Sequence, residues 1–276
     1  MVAKIHQPCP DCGSSDALQI NNNGSTFCHS CRKYTPSSQV REETWNISVP
    51  VSTEPKAKPD FSAVERTLTT GNYQAIVDRG LTTATAKTYG ILDQADRTYF
   101  AYHDPSDANV PIAAKIRLPD KNFYNVGNWA GTGLFGQQLF NGGAKYITIC
   151  EGEFDAAAAY QMQGSKYPCV SVRNGAGGAL KDCKAAYEYL DSFDAIVICF
   201  DADEAGTKAA REVAELFGGK SAIVKHTNGH KDACDYLKAN DTREFIAAFW
   251  AAEKFVPDGI INGASLWEEV NKPVEK

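Results

Sequence analysis

The chain of 276 residues is 43% hydrophobic and 22% charged, which excludes disorder throughout and leaves room for one large domain or two modest ones. Lys plus Arg number 28 and Asp plus Glu 34, a net charge of −6, so no basic coat holds nucleic acid by bulk electrostatics. The longest strongly apolar run, Ala195 to Phe200, falls far short of the roughly 20 residues that span a bilayer, and Met1 to Pro10 contains no apolar signal segment. A cytoplasmic protein with reduced cysteines and no membrane partner is therefore expected. The charge is uneven: residues 1–60 hold six positive and six negative groups, so the whole excess lies in 61–276.

Residues 1–35 are polar, with too few apolar side chains for a core. Cys9-Pro10-Asp11-Cys12 and Cys28-His29-Ser30-Cys31, fifteen residues apart, are two knuckles that can close a tetrahedral thiolate site. One structural zinc would then supply the folding free energy, and four thiolates leave no open position for catalysis. Leu18 to Ile20 and Ser25 to Phe27 read as a hairpin turned by Asn21-Asn22-Asn23-Gly24. Its amides suit base edges and a tight turn equally.

From 36 to 60 the composition shifts to Pro and Ser, as in a linker, although Trp45, Ile47, Val49 and Val51 alternate like an edge strand. Beyond it, a helix is expected around Tyr73 to Arg79 and another opened by Thr82, then strands over Tyr99 to His103 and Pro111 to Leu118. After Lys145 the alternation is regular: strand Tyr146–Cys150, helix Asp155–Gln163, strand Cys169–Val172, helix Leu180–Leu190, strand Ala195–Phe200, helix Glu204–Phe217 and strand Ser221–Lys225. Strand and helix in turn imply a parallel sheet covered on both faces, with ligands at the carboxyl ends of its strands. Cys150, Cys169 and Cys199 sit in apolar stretches, as small buried hydrophobes do. Asn174-Gly175-Ala176-Gly177-Gly178 opens a helix after a strand, where its N–H groups can approach a phosphate or form a plain turn.

Acidic residues gather where that sheet would bind ligands. Glu151, Glu153 and Asp155 follow one strand, Asp201 and Asp203 another, and Asp232 precedes a short helix. Converging carboxylates repel unless a cation sits among them, and hard oxygen ligands suit Mg²⁺ or Mn²⁺. Helix capping accounts for Asp155 and Asp203 individually. A P-loop enzyme is excluded, since no G-x-x-x-x-G-K-[ST] occurs, and an aspartyl phosphatase would leave Glu151 to Asp155 unexplained.

In order along the chain, C-P-D-C at 9–12, Asp78-Arg79-Gly80, Lys115-Ile116-Arg117, Asp120-Lys121-Asn122-Phe123, Leu134-Phe135-Gly136, Asn141-Gly142-Gly143, E-G-E-F-D at 151–155, F-D-A-D-E-A-G from Phe200 and Lys231-Asp232-Ala233 resemble the primase region of bacteriophage primase-helicases. The resemblance implies an α/β RNA polymerase domain containing the TOPRIM fold, a parallel-sheet core with a smaller α+β N-terminal subdomain, preceded by a four-cysteine zinc ribbon. The implied boundaries are 1–35 for the ribbon, 36–60 for the linker, 61–144 for the N-terminal subdomain, 145–256 for TOPRIM and 257–276 for a tail toward a helicase, where Ser265 to Val270 resembles the start of the connecting segment.

By the same resemblance the activity is synthesis of short RNA primers from ribonucleoside triphosphates on single-stranded DNA, in the cytoplasm of an infected host, with a replicative helicase and a DNA polymerase as partners. Glu151 would be general base or metal ligand, and Glu151, Glu153, Asp155, Asp201, Asp203 and Asp232 would hold one or two Mg²⁺ or Mn²⁺ ions. Lys115 and Lys121 would join the catalytic set, and with Asn23, Ser25, Arg79 and Arg117 would contact template or nucleotide. Relatives carry His where this chain has Ser25 and an acid where it has Asn23, in the hairpin that reads the template trinucleotide. A TOPRIM nuclease and a non-catalytic single-stranded DNA-binding module are the alternatives.

Overall fold

A computed structural model describes residues 2–36 and 61–256. The expected linker beyond Pro36, with its alternating Trp45, Ile47, Val49 and Val51, and the expected tail 257–276 lie outside the described residues. The chain divides into two compact units, Met1–Ala57 and Lys58–Lys276.

The first unit is an antiparallel sheet in the order β1 (Val2–Gln7), β2 (Leu18–Asn21), β3 (Thr26–Cys28) and β4 (Tyr34–Thr35). The expected hairpin is β2–β3, closed where the Gly24 N–H donates to Asn21 O at 2.9 Å with Gly24 at φ +80°. Among the described residues its buried hydrophobic cluster is Cys9, Leu18 and Cys28 with Ala17 packed on it, little apolar surface to hold such a unit.

The second unit begins with α1 (Phe61–Thr70) and α2 (Thr83–Tyr89), the latter capped as expected by Thr82, whose hydroxyl accepts the Thr85 N–H. No helix forms over Tyr73 to Arg79. Ile76 and Leu81 bridge as antiparallel partners instead, around a single 3-10 turn at Val77–Arg79. Gly80, at φ +69°, closes that turn with its Cα so near Leu237 that a Cβ would lie 3.2 Å from the leucine side chain. An antiparallel meander follows: β5 (Ile91–Gln94), β6 (Arg97–Asp104), β7 (Asp107–Arg117) and β8 (Phe123–Gly127). Val64 and Leu68 of α1 cover one face of it, against Tyr99, Ala114, Ile116 and Val126.

The remaining elements are β9 (Tyr146–Cys150), α3 (Glu153–Met162), β10 (Cys169–Ser171), α4 (Ala179–Ala185), α5 (Tyr187–Asp191), β11 (Ala195–Cys199), α6 (Glu204–Phe217), β12 (Ser221–Ile223), α7 (Ala233–Lys238), α8 (Thr242–Trp250) and β13 (Glu253–Lys254). They build a sheet in the order β10-β9-β11-β12-β13, parallel except for β13. The one expected helix Leu180–Leu190 is two, divided at Ala186.

Strand alternation sends Ile147, Ile149, Ile196 and Ile198 to the face covered by α4 to α6. Cys150, Val197 and Cys199 point to the opposite face, under α3, α7 and α8. Ala156 to Ala159 make α3 slim on its buried side, and Tyr89, Phe100, Tyr102 and Phe135 of the meander and its flanking segments pack into that same cluster. The two sheets thus share a core, tied by Tyr89 Oη donating to Cys169 O at 2.8 Å. Cys150, Cys169 and Cys199 are buried, as their surroundings in the sequence imply.

The two units differ in what holds them. A strong chelator should therefore remove amide-exchange protection from residues 2–36 while 61–256 stay protected; equal loss in both by hydrogen-exchange mass spectrometry would show that the apolar cluster is not the basis of the second unit.

Candidate active site

The two knuckles bring four thiols together. Cys9 Sγ and Cys31 Sγ are 3.9 Å apart, Cys12 Sγ and Cys28 Sγ 3.7 Å, and all four lie within 4.8 Å of one another. A tetrahedral zinc with bonds of about 2.3 Å needs sulfur–sulfur edges of about 3.8 Å. The donors and spacing fit zinc, and Lys33 Nζ on Asp11 Oδ1 at 2.5 Å joins the knuckles.

At the hairpin tip Ser25 is only 2% exposed. Its hydroxyl donates to Asn23 Oδ1 at 2.8 Å and accepts from Asn21 Nδ2 at 3.0 Å, so it props the turn from beneath. Asn23 is exposed and, with Asn21, Asn22, Ser25 and Tyr34, lines an open recess of about 380 Å³.

In the second unit, Cys150 and Cys199 are register partners, so the parallel strands β9 and β11 end side by side and release Glu151 and Asp201 on one rim. Three helix N-termini meet that rim. Asp155 lies in the first turn of α3 and accepts the Cys234 N–H at 3.0 Å, which ties α3 to α7. Asp203 caps α6 through the Gly206 N–H at 2.7 Å, and Asp232 caps α7 through the Asp235 N–H at 2.7 Å. Capping accounts for one oxygen of each. Close approach requires Gly206, since a Cβ there would lie 2.3 Å from Asp201 O and 3.0 Å from Glu151 Oε2.

The carboxylates feel one another. Burial, and after it Glu151, Asp232 and Asp203, push the Asp201 carboxyl up to about 7. Burial and then the charges of Asp232 and Asp201 hold Asp155 well above the usual carboxylate range, against the Cys234 N–H. Glu151 Oε1 accepts the Ala176 N–H at 3.1 Å, whereas its Oε2 is buried without a partner among the described residues. An orphaned carboxylate oxygen among mutually repelling oxygens is the donor set a hard cation fits. Asp155, Asp232 and the buried Cys234 also have ligand atoms within 4.8 Å of one another.

Glu153 stands apart from these five. Its carboxylate accepts from Tyr102 Oη at 2.7 Å and from Lys115 Nζ at 2.5 Å. Lys115 reaches from β7 and donates also to Arg173 O at 2.7 Å, so its ammonium is engaged at the junction of the two sheets. Lys121 is exposed in the β7–β8 turn at φ +66°. Arg79 and Arg117 both lie over the ring of Phe154, at 4.7 and 5.8 Å. The Gly175 loop gives its Ala176 N–H to Glu151.

Several residues at this centre carry no motif of their own. Tyr102 is spaced as an inward strand residue, and Phe154 lies within E-G-E-F-D among louder acids. Arg173 pairs with the buried Asp182, with Arg173 Nη2 2.9 Å from Asp182 Oδ1 and Nη1 3.0 Å from Thr132 O. Their separation of nine positions matches no helical or strand period.

A family model described as Toprim-like matches residues 148–237. The chain is 33% identical over 271 residues to a protein of Enterobacteria phage T3 described as a DNA helicase/primase, covering 97% of this chain and 47% of that one, so it spans about half the length of that curated relative. Among solved structures it is similar to the primase fragment of the bacteriophage T7 primase-helicase, with a TM-score of 0.60 and 33% identity over 91% of this chain and 100% of the other. It is also similar to a chain in the assembly of bacteriophage T7 lagging-strand DNA polymerase with primase domains bound to an RNA/DNA hybrid and dTTP, with a TM-score of 0.59 and 35% identity over 67% of this chain and 94% of that one.

Two outcomes follow from this electrostatics. An aspartate whose pKa is higher folded than unfolded favours the fold while protonated, a contribution fully present below about pH 4 and lost as pH rises through about 7 for Asp201. Zinc-loaded protein without Mg²⁺ should therefore melt lower at pH 8 than at pH 5, Mg²⁺ should raise the pH 8 value, and Asp201→Asn should flatten the profile; a Mg²⁺-independent profile would contradict the shared site. Lys115→Ala strands the buried Glu153 carboxylate and should lower stability by about 3 kcal/mol in urea, most of it recovered when Lys115→Met is joined with Glu153→Gln.

Proposed function

Because the chain belongs to the bacteriophage primase-helicase family, we propose that it is a DNA primase, which makes short RNA primers from ribonucleoside triphosphates on single-stranded DNA in the cytoplasm of the infected host. The observation that carries this reading is the meeting of Glu151, Asp155, Asp201, Asp203 and Asp232 at the carboxyl ends of β9 and β11, with a buried Glu151 oxygen lacking a partner among the described residues. Toprim-like chemistry alone leaves strand cleavage open; the four-thiol unit ahead of it and the primase relatives favour primer synthesis.

Each side chain has a task in this reading. Asp155, Asp201, Asp203 and Asp232, with Glu151, hold one or two divalent cations. When bound, Mg²⁺ or Mn²⁺ offsets charge on the triphosphate and acidifies the attacking 3′-hydroxyl. Glu151 is fixed through Oε1 by the Ala176 N–H, which leaves Oε2 to face the cation or accept the hydroxyl proton. Glu153 serves as a positioning residue: the Lys115 ammonium and Tyr102 hydroxyl pin the first turn of α3, and so the direction of Asp155. Lys121, Arg79 and Arg117 supply positive charge toward template or nucleotide, and Asn23, propped by Ser25, faces the template at the zinc unit. One structural zinc holds that unit. A replicative helicase, fused or separate, opens the template, and a DNA polymerase extends the primer.

Zinc-loaded protein with Mg²⁺ and all four ribonucleotides should make dinucleotides on some member of a template set covering every trinucleotide. Glu151→Gln and Asp201→Asn should lose about 100-fold or more of this synthesis while single-stranded DNA binding is retained. No product on any template would refute the reading, and degradation of labelled template with Mg²⁺ alone would replace it with a nuclease.

A further inference from the structure

Beside the carboxylate rim, cations and rings alternate in a row. Arg79 lies 4.7 Å from the centre of the Phe154 ring, and Arg117 5.8 Å from the same ring. Arg117 is also 6.0 Å from the Phe123 ring, and Lys115 Nζ 5.2 Å from it. Strand register builds the outer part of this row. Arg117 and Phe123 are cross-strand partners, as are Lys115 and Asn125 two places along, so all four side chains share one face of β7–β8.

The cations in the row are not equivalent. Lys115 is satisfied by Glu153 and Arg173 O. Arg117 has no carboxylate partner among the described residues, and Arg79 has only its neighbour Asp78, at 3.6 Å. Burial, and then the nearby Arg79, hold the Arg117 pKa down, against the opposing charges of Asp78, Asp93 and Glu153. The two guanidiniums act on each other across the Phe154 ring, and the one carboxylate that pairs with either among the described residues is the exposed Asp78, so an anion relieves their repulsion as a cation relieves that of the rim. Phe123 is 50% exposed at an edge strand, with no core to join.

We infer that this row is a track for the template strand, in which the Phe123 ring stacks on a template base and Arg117 and Arg79 hold the phosphates beside it. The inference rests on the primase reading and adds Phe123 as a template-positioning residue. A nucleoside triphosphate gathers its charge at one end of a single base. Here Arg117 lies between two rings and Arg79 beyond the second, an alternation that matches the repeat of phosphate and base along a strand. Stacking on an exposed ring tolerates any base, so this contact would hold the template while the zinc unit supplies sequence preference.

The test is binding of a fluorescein-labelled single-stranded dT oligonucleotide to the zinc-loaded full chain, by anisotropy across a salt series, without nucleotides. Phe123→Ala should weaken binding about tenfold with the salt dependence unchanged. Phe123→Leu, which keeps apolar volume without a π-face, should weaken it similarly, and Phe123→Trp should restore it. Arg117→Ala should lower the slope of log affinity against log salt by about 0.7, the loss of one phosphate contact. Wild-type affinity in both Phe123→Ala and Phe123→Leu would overturn the inference. So would a raised KM for ribonucleotides with unchanged oligonucleotide affinity, which would assign the ring to the incoming nucleotide. Failure of the primase reading is seen separately, as wild-type chain that binds the oligonucleotide and makes no primer.

Discussion

Repulsion among five carboxylates governs the second unit. The fold forces them together by ending two adjacent parallel strands at Cys150 and Cys199 and aiming the starts of α3, α6 and α7 at the same rim. Helix N-termini soften the clash, since each favours a nearby anion by roughly 0.3–1 kcal/mol. They do not remove it, since Glu151, Asp232 and Asp203 add to burial in raising the Asp201 carboxyl to about 7. A rim in that state is poised for a divalent cation, and the same crowding explains the net charge. Without Glu151, Glu153, Asp155, Asp201, Asp203 and Asp232, residues 61–276 would hold 22 positive and 22 negative groups. Five of those six belong to the rim and the sixth, Glu153, is paired with Lys115, so most of the −6 sits at one site.

The opposing charges lie close by and are sorted by depth. Lys115 is spent on Glu153 at the seam between the meander and α3, where a buried pair fixes how two packed layers register. Arg173 is spent on Asp182 and on the carbonyls around Trp129 and Thr132. Arg79 and Arg117 lie over the Phe154 ring, an apolar spacer between the acidic first turn of α3 and the meander. Acid and base thus approach without neutralising each other, an arrangement that would suit a site for both a cation and a polyanion.

How much of this was legible in the sequence varied with the kind of signal. Strands Tyr146–Cys150 and Ala195–Cys199 announce themselves as apolar runs ending in acids, and the helix over Glu204–Phe217 opens on a capping Asp203. The cysteine pairs carry their geometry in their spacing. Tyr73 to Arg79 misleads because helical periodicity cannot foresee the bridge between Ile76 and Leu81. Glu153 is indistinguishable from Glu151 as a string of letters. It separates only because the chain turns from strand to helix at Gly152, which sends the second glutamate toward Lys115, distant in sequence. Ser25 reads as a strand residue beside the turn that would contact the template, and its burial under Asn23 depends on how the turn folds back.

The antiparallel strand β13 closes the large sheet on β12, pairing with Ala222 and Ile223 and adding an ion pair between Lys225 and Glu253 at 2.6 Å. Order of synthesis gives that arrangement a meaning in time. As the chain leaves the ribosome, β9 to β12 can assemble with their helices while the backbone of β12 still offers unpaired N–H and C=O groups to any passing strand. That edge is sealed only when Lys254 has emerged, some thirty residues after Ile223. Where many ribosomes translate one message at once, this interval is when neighbouring nascent chains can pair wrongly, and two residues of strand bring it to an end.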